Sequence, residues 1–86
     1  ADRISLIFTL KNEVGTLYEV MRVIKEHAIN MVRIESRPLL GNSWEYYFYV
    51  DLDGNLADPR ITETLAELKN YTTSLRLLGN YHRQEN

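Results

Sequence analysis

Apolar and polar residues alternate near the start of the chain. Ile4, Leu6, Phe8 and Leu10 share one phase, while Ser5, Ile7, Thr9 and Lys11 share the other. That period of two predicts a half-buried strand. The stretch "NEVG" (12–15) breaks it. Leu17, Val20, Met21, Ile24 and Ala28 then recur at helical spacing, with Glu19, Arg22, Lys25 and Glu26 on the wet side. "HAIN" ends this helix, and "INMVRIESRP" predicts a second strand with a hitch. Ile29 and Met31 lie in one phase, Ile34 and Ser36 in the other. The slip predicts a bulge near Val32 or Arg33, or else Ile29 belongs to the helix exit. "LLGNS" is a turn with its Gly-Asn signal. In "WEYYFYVDLD", Trp44, Tyr46, Phe48, Val50 and Leu52 face one way and Glu45, Tyr47, Tyr49 and Asp51 the other. "DGNLADP" is a loop ending in Asp58-Pro59, an N-cap acceptor followed by a proline at the first helical position. Ile61, Leu65, Leu68 and Tyr71 form the stripe of a second helix, "TTSLRLLGNYH" a last strand, and "RQEN" a polar tail.

The predicted order is β-α-β-β-α-β, without a long linker or a repeat. This is the α+β, ferredoxin-like arrangement: a four-stranded antiparallel sheet with two helices on one face. One apolar stripe per helix fits two layers. The other sheet face has no helix to cover it, yet it carries Tyr47 and Tyr49. A bare aromatic face signals contact with something.

With 86 residues, the chain has room for a single domain, 1–86. A chain this short buries only roughly 60–65% of its unfolded surface, so a partner or a second copy would help it. The lack of an initiator Met suits a processed chain or a domain excised from something longer. The net charge of −2 argues against nucleic acid or an anionic membrane as partner. Without cysteine there is no disulfide scaffold, thiol nucleophile or cysteine zinc site. The sequence has no signal peptide and no apolar run that could span a bilayer, which makes the cytoplasm the default location.

Catalytic chemistry is hard to find. His27 and His82 are isolated, and no GxSxG, HExxH or GxxxxGK[ST] pattern occurs. Asp51 and Asp53 straddle a strand end and read as solvated turn residues. No catalytic residue, metal site or cofactor is expected. RNA-recognition modules share the fold and stack bases on sheet aromatics. Here their basic-Gly-aromatic pattern is missing, Phe8 falls in the core phase, and Glu45 and Asp51 would repel phosphate.

Two stretches are candidates for a small ligand. In "KNEVGTLYEV", the start of the first helix presents unpaired N–H groups suited to a carboxylate, and Gly15 would let a ligand approach the backbone. Asn12 flanks the loop. The plainer alternative is that Asn12 or Glu13 caps the helix and Gly15 only permits the turn. In "RIESRP", Arg33, Glu35 and Arg37 would share a face as an exposed charge ladder worth only ~0.2–1 kcal/mol per pair. Pro38 would end the strand or mark it as an edge. Ser36 would point toward the helices, where its hydroxyl needs a partner.

The stretch from "KNEVGTLYEV" through "ESRP" to "SWEYYFYVDLDG", with the ending "SLRLLGNY", resembles the regulatory ACT domain of prephenate dehydratase, alone or fused to chorismate mutase. The ACT domain of the aromatic amino acid hydroxylases shares the ESRP element, but the W-E-Y run and the L-G-N-Y ending favour the dehydratase. The resemblance implies an allosteric sensor of L-phenylalanine that feedback-inhibits phenylalanine synthesis. It implies a homodimer of side-by-side ACT domains with the ligand at their interface, joined to the catalytic domain of a lyase and itself not an enzyme. The family's Gly-Ala-Leu motif falls on Gly15, Thr16 and Leu17, with Thr16 adding a hydroxyl and a little bulk. Asn12, Glu13 and Val14 align with its lead-in, which commonly has Pro where Val14 stands. The second motif falls on Glu35, Ser36, Arg37 and Pro38, and Asn30 and Met31 face the ligand in the family. Leu17, Met31 and Ile34 are expected as apolar walls. A hydroxylase regulator, or a dimerisation module without ligand, is the alternative.

Overall fold

A computed structural model describes residues 2–39 and 42–82, with side chains described for 2–37 and 45–80. The elements are β1 (Asp2–Lys11), α1 (Thr16–Glu26), β2 (Met31–Leu39), β3 (Asn42–Asp53), α2 (Pro59–Leu68) and β4 (Ser74–His82). The four strands form one antiparallel-paired sheet in the order β2-β3-β1-β4. The ferredoxin-like arrangement expected from the pattern is therefore present. β2 and β4 are its edges, and β1 lies near the middle, between β3 and β4.

β1 alternates as its sequence demands. Ile4, Leu6, Phe8 and Leu10 are at most 2% exposed and face the helices. Opposite them in register, Phe48, Val50 and Leu52 of β3 are also buried. Phe8 and Phe48 stack with ring centroids 5.4 Å apart. The expected phase slip in β2 is a register shift between Met31 and Arg33, so Val32 is the bulged residue. Ile29 lies before β2 and is buried at the helix exit, so both readings of that segment hold. A second shift, between Ser5 and Leu6 against β4, was not visible in the sequence.

The helical stripes differ from expectation in detail. In α1 the buried residues are Val20, Val23 and Ile24, while Leu17 and Met21 remain 37% exposed. The axis is rotated so that positions 20, 23 and 24 meet the sheet and 17 and 21 flank the contact. Ala28 is exposed beyond the helix, in the left-handed region at φ 57°. In α2, Ile61, Thr64 and Leu68 are fully buried, and Leu65 packs beside the core. Thr64 is tolerated there because its hydroxyl donates to the Arg60 carbonyl at 2.6 Å. Tyr71 lies past the helix, 36% exposed, under the Arg22 guanidinium at 5.4 Å from its ring centre. Trp44, expected in the core phase, falls outside the described side chains.

The two helices start differently. Asp58 caps α2, accepting from the Arg60 N–H at 2.9 Å, with Pro59 at the first turn as expected. The Arg60 guanidinium, and after it that N–H, hold the Asp58 carboxyl below the ordinary carboxylate range. This contribution to stability is present above the unfolded pKa and is lost as pH falls through the folded one. α1, by contrast, has Gly15 at its N-cap position and no side-chain cap.

Gly54, in the loop after β3, has φ 141°. A Cβ there would sit 2.8 Å from Cδ1 and 2.9 Å from Cγ1 of the fully buried Ile61. Gly54→Ala combines backbone strain with overpacking, so a loss of about 2–4 kcal/mol is expected in thermal or urea denaturation. A change within experimental error would refute this account of the loop.

Candidate functional site

The expected ligand residues separate into three places. The first is the β1–α1 loop. Asn12, Glu13, Val14 and Gly15 are all exposed. The loop is built by its backbone: the Glu13 N–H donates to the Lys11 carbonyl at 2.8 Å, and the Glu19 N–H donates to the Gly15 carbonyl at 3.1 Å. Gly15 has φ 88°, and a Cβ added there would meet no heavy atom within 4 Å. Open space thus lies beside a left-handed residue at the mouth of an uncapped helix. The partial positive charge of that helix end faces outward, where an anion is stabilised. The Thr16 hydroxyl donates to the carbonyls of Lys11 and Glu13, at 2.9 and 3.1 Å. It fastens the loop and does not cap the helix.

The second place is the helix-side face of β2. Ile34 and Ser36 pair in register with Val50 and Phe48, so both point toward the helical layer as their phase predicted. Both are nevertheless exposed, Ile34 at 38%, because β2 is the outermost strand and the helices cover the middle of the sheet. The Ser36 hydroxyl therefore has access to solvent and needs no buried partner. Met31 packs against the core. Asn30 donates its side-chain amide to Asp53 at 2.9 Å, and its carbonyl accepts the Asp53 N–H at 2.9 Å.

The third place is the uncovered sheet face. Arg33, Glu35 and Arg37 line one shallow groove there with Ser5, Tyr47, Tyr49, Asp51 and Leu78, about 460 Å³ in volume. The expected ladder is half made: Arg33 pairs with Glu35, whereas Arg37 makes no ion pair among the described residues. Ser5 donates to Asp51 across β1 and β3. Tyr47 and Tyr49 meet edge to face at 6.1 Å. The groove was missed as a unit, since it assembles residues of all four strands, from Ser5 to Leu78.

Register separates these places further. The loop leaves β1 after Lys11, which pairs with Glu45 at one end of the sheet. Met31 pairs with Leu52, which pairs with Ile4 at the other end. From residue 4 to residue 11 a strand covers about 23 Å. Gly15 and Met31 of one chain thus stand too far apart to grip one small molecule. Glu35 and Arg37 lie across the sheet from Ile34 and Ser36. Among the described residues, no group of three or more His, Asp or Glu converges to hold a metal ion. The His27 Nε2–H donates to the Glu67 carboxylate at 2.8 Å, and so ties the end of α1 to α2. No helix among the described residues is long and apolar enough to cross a membrane.

Residues 4–70 match the ACT domain family. The chain belongs to that family. It is 42% identical over 81 residues to the bifunctional chorismate mutase/prephenate dehydratase of Aquifex aeolicus, covering 94% of this chain and 22% of the enzyme. A prephenate dehydratase from Arthrobacter aurescens, solved in complex with L-Phe, superposes with a TM-score of 0.87 at 33% identity. That match covers 96% of this chain and 28% of that one. GqqA, described as a novel type of quorum quenching acylase, superposes with a TM-score of 0.91 at 28% identity, over 96% of this chain and 43% of that one. The chain thus spans about a fifth of the curated relative's length. The ACT domain recurs beside differently described activities, so its own surface must supply the argument for a ligand.

Proposed function

We propose that this ACT domain is the regulatory part of a prephenate dehydratase, a cytoplasmic lyase of phenylalanine biosynthesis, and that it senses L-phenylalanine between two copies of itself. The observation that carries the reading is the open, side-chain-uncapped start of α1 at Gly15, in a chain 33% identical to a dehydratase solved with L-Phe. The Thr16 N–H donates to the Glu13 carbonyl at 3.4 Å, so the backbone N–H groups that follow it in the first turn, from Leu17 on, take the amino acid's carboxylate, and exposed Leu17 offers apolar surface to its ring.

The remaining contacts come from the second copy. β2 is an edge strand with one unpaired side. Pairing two β2 edges antiparallel about a two-fold axis at Ile34 sets Met31 of each copy against Arg37 of the other. Arg37 stands at the loop end of the sheet, opposite Tyr47. The partner's Asn30 and Met31 then approach the Gly15 loop, which no single chain accomplishes. Ile34 and Ser36 lie along the seam on the ligand's side. Leu17, Met21, Val32 and Ile34, all 37–41% exposed, supply apolar surface for such a contact. Glu35 and Arg37 shape the strand and its opposite face.

Phenylalanine then favours the paired arrangement that restrains catalysis, and a coupling of about 1–3 kcal/mol suffices for feedback. Calorimetric titration of the 86-residue chain with L-Phe, L-Tyr and L-Trp tests this. Heat and a raised melting temperature with L-Phe above the other two are expected. No response to any of them sinks the ligand assignment.

A further inference from the structure

The uncovered sheet face holds an unequal distribution of charge partners. On the helical side, Arg22 pairs with Glu19 and Glu26, and Arg60 with Asp58. On the open face, Arg33 has Glu35, but Arg37 and Arg76 hold no carboxylate among the described residues. They flank an apolar centre. Tyr47 and Tyr49 of β3 and Ile7 of β1 lie between them, with Leu78 beside Arg76 on β4, in two adjoining grooves, the second about 530 Å³ in volume. Tyr49 is 42% exposed and Leu78 38%. Arg37 is on one edge strand and Arg76 on the other. Three strand spacings, about 14 Å, therefore separate them across the sheet.

The face's own acids are engaged. Glu35 is held by Arg33, Asp51 accepts from Ser5, Asp53 from Asn30, and Glu45 from Thr73. Among the described residues, these acids already have partners on their own copy, so two copies stacked face to face would have to share or break those contacts to reach either arginine. The complement is a different surface, with an apolar centre and carboxylates on two flanks.

Resting on the dehydratase reading above, we propose that this face is the docking surface for an acidic, apolar-centred surface of the enzyme's own catalytic part. Relatives of this chain carry the domain within much longer chains, as its 22% share of the Aquifex enzyme shows. Two partly exposed ion pairs contribute little by themselves. Covalent attachment makes such a contact intramolecular, at an effective concentration of order mM, where a modest surface suffices. Ligand binding along the β2 seam would then reach the catalytic part through the opposite face of that same strand.

Hydroxyl-radical labelling of Tyr47 and Tyr49 tests docking without any substitution. Labelling is expected to be severalfold slower in the full-length enzyme than in the 86-residue chain. Equal rates overturn the proposal. Rates in the 86-residue chain that fall as its concentration rises assign the face to a second copy and also overturn it. The double variant Tyr49→Ser/Arg76→Glu should leave uninhibited activity of the enzyme unchanged and, made in the 86-residue chain, should leave its L-Phe binding unchanged. It should raise the L-Phe concentration for half-inhibition about tenfold, within the usual span of allosteric coupling. Unchanged inhibition overturns the coupling claim. Absence of L-Phe binding to the unsubstituted chain would instead strike the proposed ligand, and the labelling result would stand apart from it.

Discussion

Gly15→Val is expected to abolish L-phenylalanine binding while leaving the domain folded. The space a Cβ would enter is empty in the free protein, so the new side chain strikes nothing of the domain's own. In the proposed site it strikes the ligand's carboxylate, which that reading brings within hydrogen-bonding distance of the α1 N–H groups. The stability cost comes from φ 88° alone. A left-handed conformation costs an L-residue about 1–2 kcal/mol, with β-branched residues at the upper end. Titration calorimetry and a thermal melt separate the two effects. Lost heat with a modestly lowered melting temperature is the expected result. Gly15→Ala carries similar strain with less bulk, so its binding should fall between the two. Undiminished binding by the valine variant would move the ligand away from this helix end.

The largest stability effect is expected at Phe8. The ring is 1% exposed, stacks on Phe48, and pairs in register with Leu75 on the other side. Truncating a buried phenylalanine to alanine costs about 3–5 kcal/mol, through lost transfer energy and the cavity left behind. A domain of this length has a total of about 4–13 kcal/mol to lose. Phe8→Ala should therefore lower the urea midpoint strongly with little change in slope, and at 37 °C part of the population should unfold. A loss below about 1 kcal/mol would mean that the β1 phase is misassigned.

Much of the fold was legible because its signals are local. The alternation in β1 and β3 named which residues of those strands turn inward. Asp58-Pro59 marked the start of α2, since one side chain and one ring set that helix end. The phase slip at Val32 announced the bulge. The errors were equally physical. Leu17 and Met21 have helical spacing with Val20 and Ile24, yet Val23 takes the buried place because the neighbouring sheet sets the rotation of α1. Thr64 is polar in composition but apolar in effect, once its hydroxyl bonds back to Arg60. Tyr71 continues the α2 spacing, but the helix ends before it.

For the candidate site, the sequence by itself determined the chemistry on offer. It supplied a glycine at the opening of a helix, apolar residues near it, and the ESRP element that tied the chain to its family. It also determined the two faces of β2, because strand residues two apart share a side. Only the tertiary structure decided where those pieces stand. Strand order made β2 an edge, so Ile34 and Ser36 are exposed although they face the helices. Register placed Met31 and the Gly15 loop at opposite ends of the sheet, so a ligand touching both needs two chains. Among the described residues, pairing also left Arg37 and Arg76 without carboxylates on either side of the tyrosines. The period of a strand is set by its own backbone, whereas strand order and register arise from contacts between distant segments, which no local pattern encodes.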